Sequence, residues 1–202
     1  AEELIISNKV KVNGNVVNEL GSKVKKGDTI EVEGNILDNN KNYEYYLLNK
    51  PREVISAVTD DKGRKTVVDL IETDTRIYPI GRLDYDTTGI ILLTNDGELS
   101  HNLLSPKKHV DKTYLVKTAE IVTSDMVQAL EQGVDIGEEK LTLPARVKVI
   151  KDKEIELTIT EGKFHQVKRM LKAVDNEVVY LKRLSMGSLK LDETLDLGKY
   201  RS

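Results

Sequence analysis

Two carboxylates lie two residues apart in Gly81-Arg82-Leu83-Asp84-Tyr85-Asp86-Thr87-Thr88-Gly89, directly ahead of the aliphatic run Ile90-Ile91-Leu92-Leu93. That run has the length and composition of a strand buried on both faces. A carboxylate on a loop with such a backing is held in place, as a base or nucleophile must be. An aspartate beside glycine is more often a turn former whose side chain bonds its own backbone, and on local pattern alone that reading covers both Asp84 and Asp86. A second chemical group is Tyr114, inside the alternating stretch Lys112-Thr113-Tyr114-Leu115-Val116. Its ring can fill a core with the hydroxyl tied off, or stack on a nucleobase with the hydroxyl left available. The third group is cationic. Val167, Met170, Leu171 and Val174 recur at i, i+3, i+4 and i+7, so they form the buried stripe of a helix. His165, Lys168, Arg169 and Lys172 then occupy its other side.

The elements that must position these groups follow from capping, turn and breaker signals. Asn95-Asp96-Gly97 ends the central strand, and Asp96 or Asn95 caps a short helix over 98–104 that must stop near Pro106. Upstream, residues 43–48 read as a strand broken by Asn49-Lys50-Pro51-Arg52, because proline cannot donate to a ladder. Residues 54–58 resume as a strand, and Thr66 caps a helix through Ile71. Thr123-Ser124-Asp125 starts a scaffold helix that ends at Gly133. Residues 145–150 and 155–160 read as a hairpin leading into the cationic segment, and 178–184 as a strand followed by a turn and a last short pair through Tyr200.

Composition narrows the function classes. The 202 residues suffice for one domain with a small appendage. With no cysteine, a disulfide framework, a thiolate metal site and a thiol nucleophile are all excluded. The histidines at 101, 109 and 165 are too scattered to suggest a metal site, so none is expected. No apolar run approaches the length of a membrane span and no secretory pattern opens the chain, which makes a cytoplasmic protein the expectation. The net charge of -3 speaks against a generally basic nucleic-acid binder. Two stretches depart from it: 101–117 carries +3 and 163–183 carries +4. Such patches fit a directed polyanion site, and they equally fit solvated faces.

The whole string Gly-Arg-Leu-Asp, Asp-Thr-Thr-Gly, aliphatic run, Thr-Asn-Asp-Gly over residues 81–97 resembles the signature of the pseudouridine synthases, in the branch that contains RsuA and RluB. The resemblance implies an α+β fold, a mixed, largely antiparallel sheet with flanking helices and the cleft across the sheet. It implies isomerisation of a ribosomal RNA uridine to pseudouridine with no cofactor. It makes Asp84 the catalytic aspartate, Tyr114 of Lys-Thr-Tyr the ring that packs on the target uracil, and Lys168 after His-Gln-Val the cation that pairs with Asp84. Desolvation raises the pKa of a carboxylate in a closed pocket, and a neighbouring ammonium offsets this. Arg82 becomes an RNA contact, and Lys50, Thr88, His165, Gln166 and Arg169 join it as substrate-binding candidates. The nucleotide should be flipped from its stem-loop into the pocket. The implied partner is ribosomal RNA, free or in an assembling subunit, with the protein a monomer and no membrane involved.

Residues 1–38 look like the back half of a small RNA-binding module shared with a ribosomal protein, lacking its first helices, so the chain is expected to be truncated. The boundaries expected are this module at 1–38, a linker at 39–42 and the catalytic domain at 43–202. With five lysines against seven acids the module should bind RNA weakly. The family keeps glycine where this chain has Glu53, and commonly where it has Asp175. Phe164-His165-Gln166-Val167-Lys168-Arg169 and the closing segment resemble the small-subunit side of the branch, whereas 60–65 and the N-terminal module resemble the large-subunit side; the expected substrate is small-subunit RNA, with large-subunit RNA the alternative. The other class of function is a non-catalytic RNA-binding assembly factor.

Overall fold

Hydrophobic patterning and turn chemistry divide the chain into two compact units, Ala1–Asn42 and Tyr43–Ser202. The computed structural model describes residues 1–25, 27–37 and 42–202. The expected linker therefore lies, apart from Asn42, outside the described residues.

In the first unit, helix α1 (Glu2–Ile6) precedes strands β1 (Val10–Val12), β2 (Asn15–Val16), β3 (Ile30–Val32) and β4 (Asn35–Leu37), in the antiparallel order β2-β1-β3-β4. Asn13 and Gly14 both take positive φ, +51° and +82°, as a two-residue hairpin requires. Asn13 is further fixed by donating to Asp28 and accepting from Thr29 N–H. Strand β4, which follows a second such turn at Glu33-Gly34, was not expected, because three residues are too few to show an alternation. No described residue of this unit is fully buried.

The second unit holds the core. Strand β5 (Tyr45–Lys50), β6 (Tyr78–Ile80), β7 (Thr88–Thr94), β8 (Lys112–Thr118), β9 (Arg146–Lys151), β10 (Glu154–Ile159), β11 (Val178–Met186), β12 (Leu189–Lys190) and β13 (Tyr200–Arg201) join in one sheet. Its main path runs β13-β5-β7-β11-β8-β10-β9, with β12 on β11 and β6 on β7. Every pairing is antiparallel except β7 with β11, where Lys182 and Arg183 lie beside Thr88 and Gly89. All seven residues of β7 are buried, as an aliphatic strand covered on both faces should be. Gly89 is required at this crossing: its φ is +114°, and a Cβ would run into the Arg183 backbone.

Helices α2 (Gly97–Leu104), α3 (Ser124–Gln132) and α4 (Gln166–Ala173) flank the sheet. Asp96 caps α2 by accepting from Leu99 N–H, and Thr123 caps α3 by accepting from Met126 N–H, each worth about 1 kcal/mol. Val167, Met170, Leu171 and Val174 of α4 and its C-terminus are buried in the main apolar cluster, roughly 1.5–3 kcal/mol per side chain. Residues 54–58 are not the strand expected. Only Ile55 bridges, in parallel, to Thr66, since the loop bonds Ile55 N–H to Lys65 O and Val67 N–H to Ile55 O use up the backbone there. Thr66 does not cap through its hydroxyl either. Its N–H donates to the Asp69 carboxylate at 2.8 Å, and a single 3₁₀ turn, Val68–Leu70, follows.

Candidate active site

The loop between Ile80 and β7 carries Asp84 between two anchored neighbours, Leu83 (5% exposed) and Thr87 (1%). Leu83 is clamped from both sides by Ser56, whose hydroxyl donates to its carbonyl at 2.8 Å and accepts from its N–H at 3.0 Å. Tyr85 O accepts from Glu53 N–H. Glu53 holds the left-handed conformation, φ +61°, that glycine takes more cheaply, so the departure at this position leaves the turn intact. Asp175, φ +60°, does the same after α4.

Beneath the loop lies Lys50, the last residue of β5 and the register partner of Gly89. It was expected at the substrate, and the geometry corrects this. Its side chain is 0% exposed, and its ammonium donates to Pro51 O (3.0 Å), Asp84 O (3.0 Å) and Thr87 O (2.8 Å). Three converging carbonyls make a cation site, and the lysine fills it from below. Burial pulls the Lys50 ammonium down to about 8, with Asp84 and Asp86 opposing the shift. Thr88 is likewise withdrawn, at 2% exposed, with its hydroxyl 3.0 Å from that of Tyr180.

The Asp84 side chain is 27% exposed and meets the start of α4. Lys168 Nζ lies 3.3 Å from Asp84 Oδ2 and 2.6 Å from Asp86 Oδ1, so one ammonium bridges both carboxylates. Burial pushes Lys168 down, and the hydrogen bond to Asp86 together with the charges of both aspartates outweighs it, leaving the ammonium above its usual range. The Lys168 hydrogen bond is also the main reason that Asp86 falls below the ordinary carboxylate range. On the local pattern Asp86 was a turn residue; its role as the nearer partner of Lys168 was invisible until α4 was docked. His165 Nε2 stands 3.5 Å from Asp84 Oδ1, its ring stacked at 3.8 Å on Phe164.

Gln166 and Arg169, both expected at the substrate, shape the chain that carries His165. Gln166, 4% exposed, donates to Glu161 at 2.8 Å and accepts from Lys163 N–H at 3.1 Å. Arg169 is spent on Phe164 O, Ile136 O and the Glu138 carboxylate, each within 2.9 Å, and does not line the cleft.

These groups border a cleft of about 860 Å³. Asp84, Arg82, Tyr114 and His165 line it, with Leu83 and Met186 among its apolar wall. An adjoining recess of about 70 Å³ shares Asp84 and Tyr114 and adds Lys168 and Gln166. Tyr114 is 9% exposed on β8. An ionisable oxygen, an aromatic ring and an ammonium around an apolar-walled slot can take a flat polar ring and act on the atom that joins it to a sugar. A more open recess of about 630 Å³ beside α3 has Glu131 as its one ionisable lining residue and offers no such combination.

Sequence similarity points the same way. The profile of the RNA pseudouridylate synthase family matches residues 44–173, and that of the S4 domain matches residues 1–30. The chain is 50% identical over 198 residues to the ribosomal large subunit pseudouridine synthase B of Bacillus subtilis (strain 168), covering 95% of this chain and 80% of the relative. It is 40% identical over 200 residues to the ribosomal small subunit pseudouridine synthase A of Escherichia coli (strain K12), covering 98% and 86%. A crystal structure of a pseudouridylate synthase superposes with a TM-score of 0.76 at 37% identity, over 99% of this chain and 87% of that one. With an S4 domain at its N-terminus and the expected α+β sheet behind the cleft, the chain belongs to the RNA pseudouridylate synthase family, in the branch of the ribosomal synthases A and B.

Proposed function

We propose that the protein converts a uridine of ribosomal RNA to pseudouridine, with Asp84 as the group that acts on the sugar. The observation that carries this is the position of Asp84, on a loop fixed from beneath and facing a cleft that Tyr114 also lines. The reaction is an isomerisation. The C1′–N1 bond breaks, the uracil turns, C5 bonds to C1′, the proton on C5 is lost and N1 is protonated. Asp84 serves either as nucleophile toward C1′ or as base toward the sugar, and both roles need an oxygen aimed at the ribose. Tyr114 stacks on the base. Lys168 pairs with the carboxylate, and because it is shared with Asp86 it stays in place when Asp84 engages the sugar. Stacked RNA hides the reacting atoms, so the nucleotide is flipped out of its stem-loop, with the exposed Arg82 at the rim set to meet the backbone or fill the gap. The S4 domain is an auxiliary RNA contact. The protein acts as a monomer in the cytoplasm.

Two observations divide on the substrate. Phe164-His165-Gln166-Val167 favours small-subunit RNA, whereas the higher identity to the synthase B relative favours large-subunit RNA. Incubating the protein with each unmodified subunit RNA separately, then mapping pseudouridine by chemical probing beside an Asp84→Asn control, tests both points. Product in one RNA names the target. Absence of product from the parent protein on either RNA overturns the catalytic reading in favour of an RNA-binding assembly factor.

A further inference from the structure

Arg183 is the largest side chain of the second unit that is almost wholly removed from water, at 2% exposed, and nothing in the site described so far uses it. Its Nε donates to Ile90 O at 2.9 Å, while Nη2 is buried without a hydrogen-bond partner among the described residues. A buried guanidinium with an empty donor is costly, on the order of 1–3 kcal/mol or more, and the cost disappears when an acceptor arrives. The residue lines the Asp84 cleft. Its sheet register shows which part of the cleft. Arg183 pairs with Tyr114 across β11 and β8, and after a bulge Met186 pairs with Lys112. Cross-strand partners point to the same face, as do residues two apart on a strand, so Arg183, Tyr114 and Lys112 share one face. Lys112 also lines the cleft, and its ammonium is held only loosely, at 3.3 Å from Glu161 O. Burial and then the like charge of Arg183 press on Lys112, partly relieved by Asp111 and Glu161. Asp84, for its part, is already met by Lys168.

We propose that Arg183 and Lys112 form a cationic floor that takes the carbonyl edge of the uracil and stabilises the negative charge on the ring while it is detached from the ribose. This rests on the pseudouridylation reading. When C1′–N1 breaks, the electron pair leaves with N1 and spreads over the ring carbonyl oxygens; it returns when C5 bonds to C1′, the C5 proton departs and N1 is protonated. A ring stacked on Tyr114 lies beside its cross-strand neighbour Arg183, whereas the phosphodiester chain continues at the rim. A preformed pair of cations that meets charge only once the bond has broken favours the transition state over the bound substrate.

The test uses free rings and the full chain, so it does not depend on turnover. 5-Nitrouracil, ionised at neutral pH, is titrated against uracil and thymine, both neutral, by ligand-observed NMR. The parent protein should prefer the anion by about tenfold or more, as charge-assisted bonds do. Lys112→Met and Arg183→Gln should each cut that preference to about threefold or less with the circular dichroism spectrum unchanged. If Arg183→Gln does not fold, Lys112→Met carries the result. Equal affinity of the parent for the three rings, no saturable ring binding, or a preference that survives Lys112→Met overturns the floor. A second readout separates it from a merely structural role: Lys112→Met should slow single-turnover isomerisation while RNA affinity stays within about twofold. An anion preference in a protein that makes no pseudouridine would sink the functional reading and keep the floor. Pseudouridine made without the preference would sink the floor alone.

Discussion

Two segments meet at Asp84, and they are held in opposite ways. Residues 81–87 are fixed through their backbone, by Ser56 on Leu83, Glu53 N–H on Tyr85 and the buried Lys50 ammonium on Asp84 and Thr87. Residues 161–169 are fixed through side chains, by Gln166 on Glu161 and by Arg169 on Phe164 O, with Phe164 itself 74% exposed. Backbone anchoring from a core strand leaves the acid little freedom. Side-chain anchoring ties the cation-bearing segment to α4, whose Val167, Met170 and Leu171 are buried in the core, while Phe164 stands at the surface. The Asp84 carboxylate is thus held from beneath, and its counter-charge comes from a helix seated in the core.

That contrast can be broken at either side, and the effects should be graded. Asp84→Asn removes the reacting oxygen and should lower turnover on the order of 10⁴-fold, with melting temperature and RNA affinity close to those of the parent. Lys50→Met leaves three carbonyls unpaired in the core while removing a buried charge, for a net loss of about 3 kcal/mol. A shift of that size should lower the melting temperature by roughly 6–12 °C, and the slackened loop should lower turnover by about 100-fold. A thermal scan beside a single-turnover assay checks both, and an unchanged rate would mean that the loop does not need its lysine.

Lys168→Met, on the α4 side, should cut turnover by roughly 10- to 100-fold with RNA binding within about twofold. Equal loss of both would refute its pairing with Asp84. The pH dependence gives the smallest effect and the finest test. The folded pKa of Lys50, about 8, lies below its unfolded value. The unfolded chain therefore binds more protons above pH 8, and this group's contribution to stability rises with pH from there up to the unfolded pKa. A neutral amine has too few N–H groups for three carbonyls, so the Asp84 loop loosens over the same window. Turnover should decline by several-fold from about pH 8 upward while this lysine's share of stability increases. Rate profiles and melts at matched pH would show the divergence, and a flat rate profile to pH 9 would remove Lys50 from the account.

Much of this architecture is written in short-range pattern. The buried β7, the Asp96 and Thr123 caps, the Asn13-Gly14 turn and the apolar stripe of α4 all depend on neighbours within a few residues, so composition and spacing reveal them. Strands as short as β4 and β6 escaped because two or three residues carry no period.

The sequence by itself determined which groups are capable of chemistry: an aspartate on a braced loop, a tyrosine on a strand, a basic helix face. Only the tertiary structure decided which cations line the cleft and which are sealed beneath it. The family resemblance made Lys50 a substrate contact, yet it is buried because carbonyls 34 and 37 residues away converge on it. Arg183 belonged to a merely basic stretch, yet the parallel crossing of β7 and β11 brings it to the cleft. The free energy of a charge depends on what surrounds it, and for both side chains those surroundings come from distant parts of the chain.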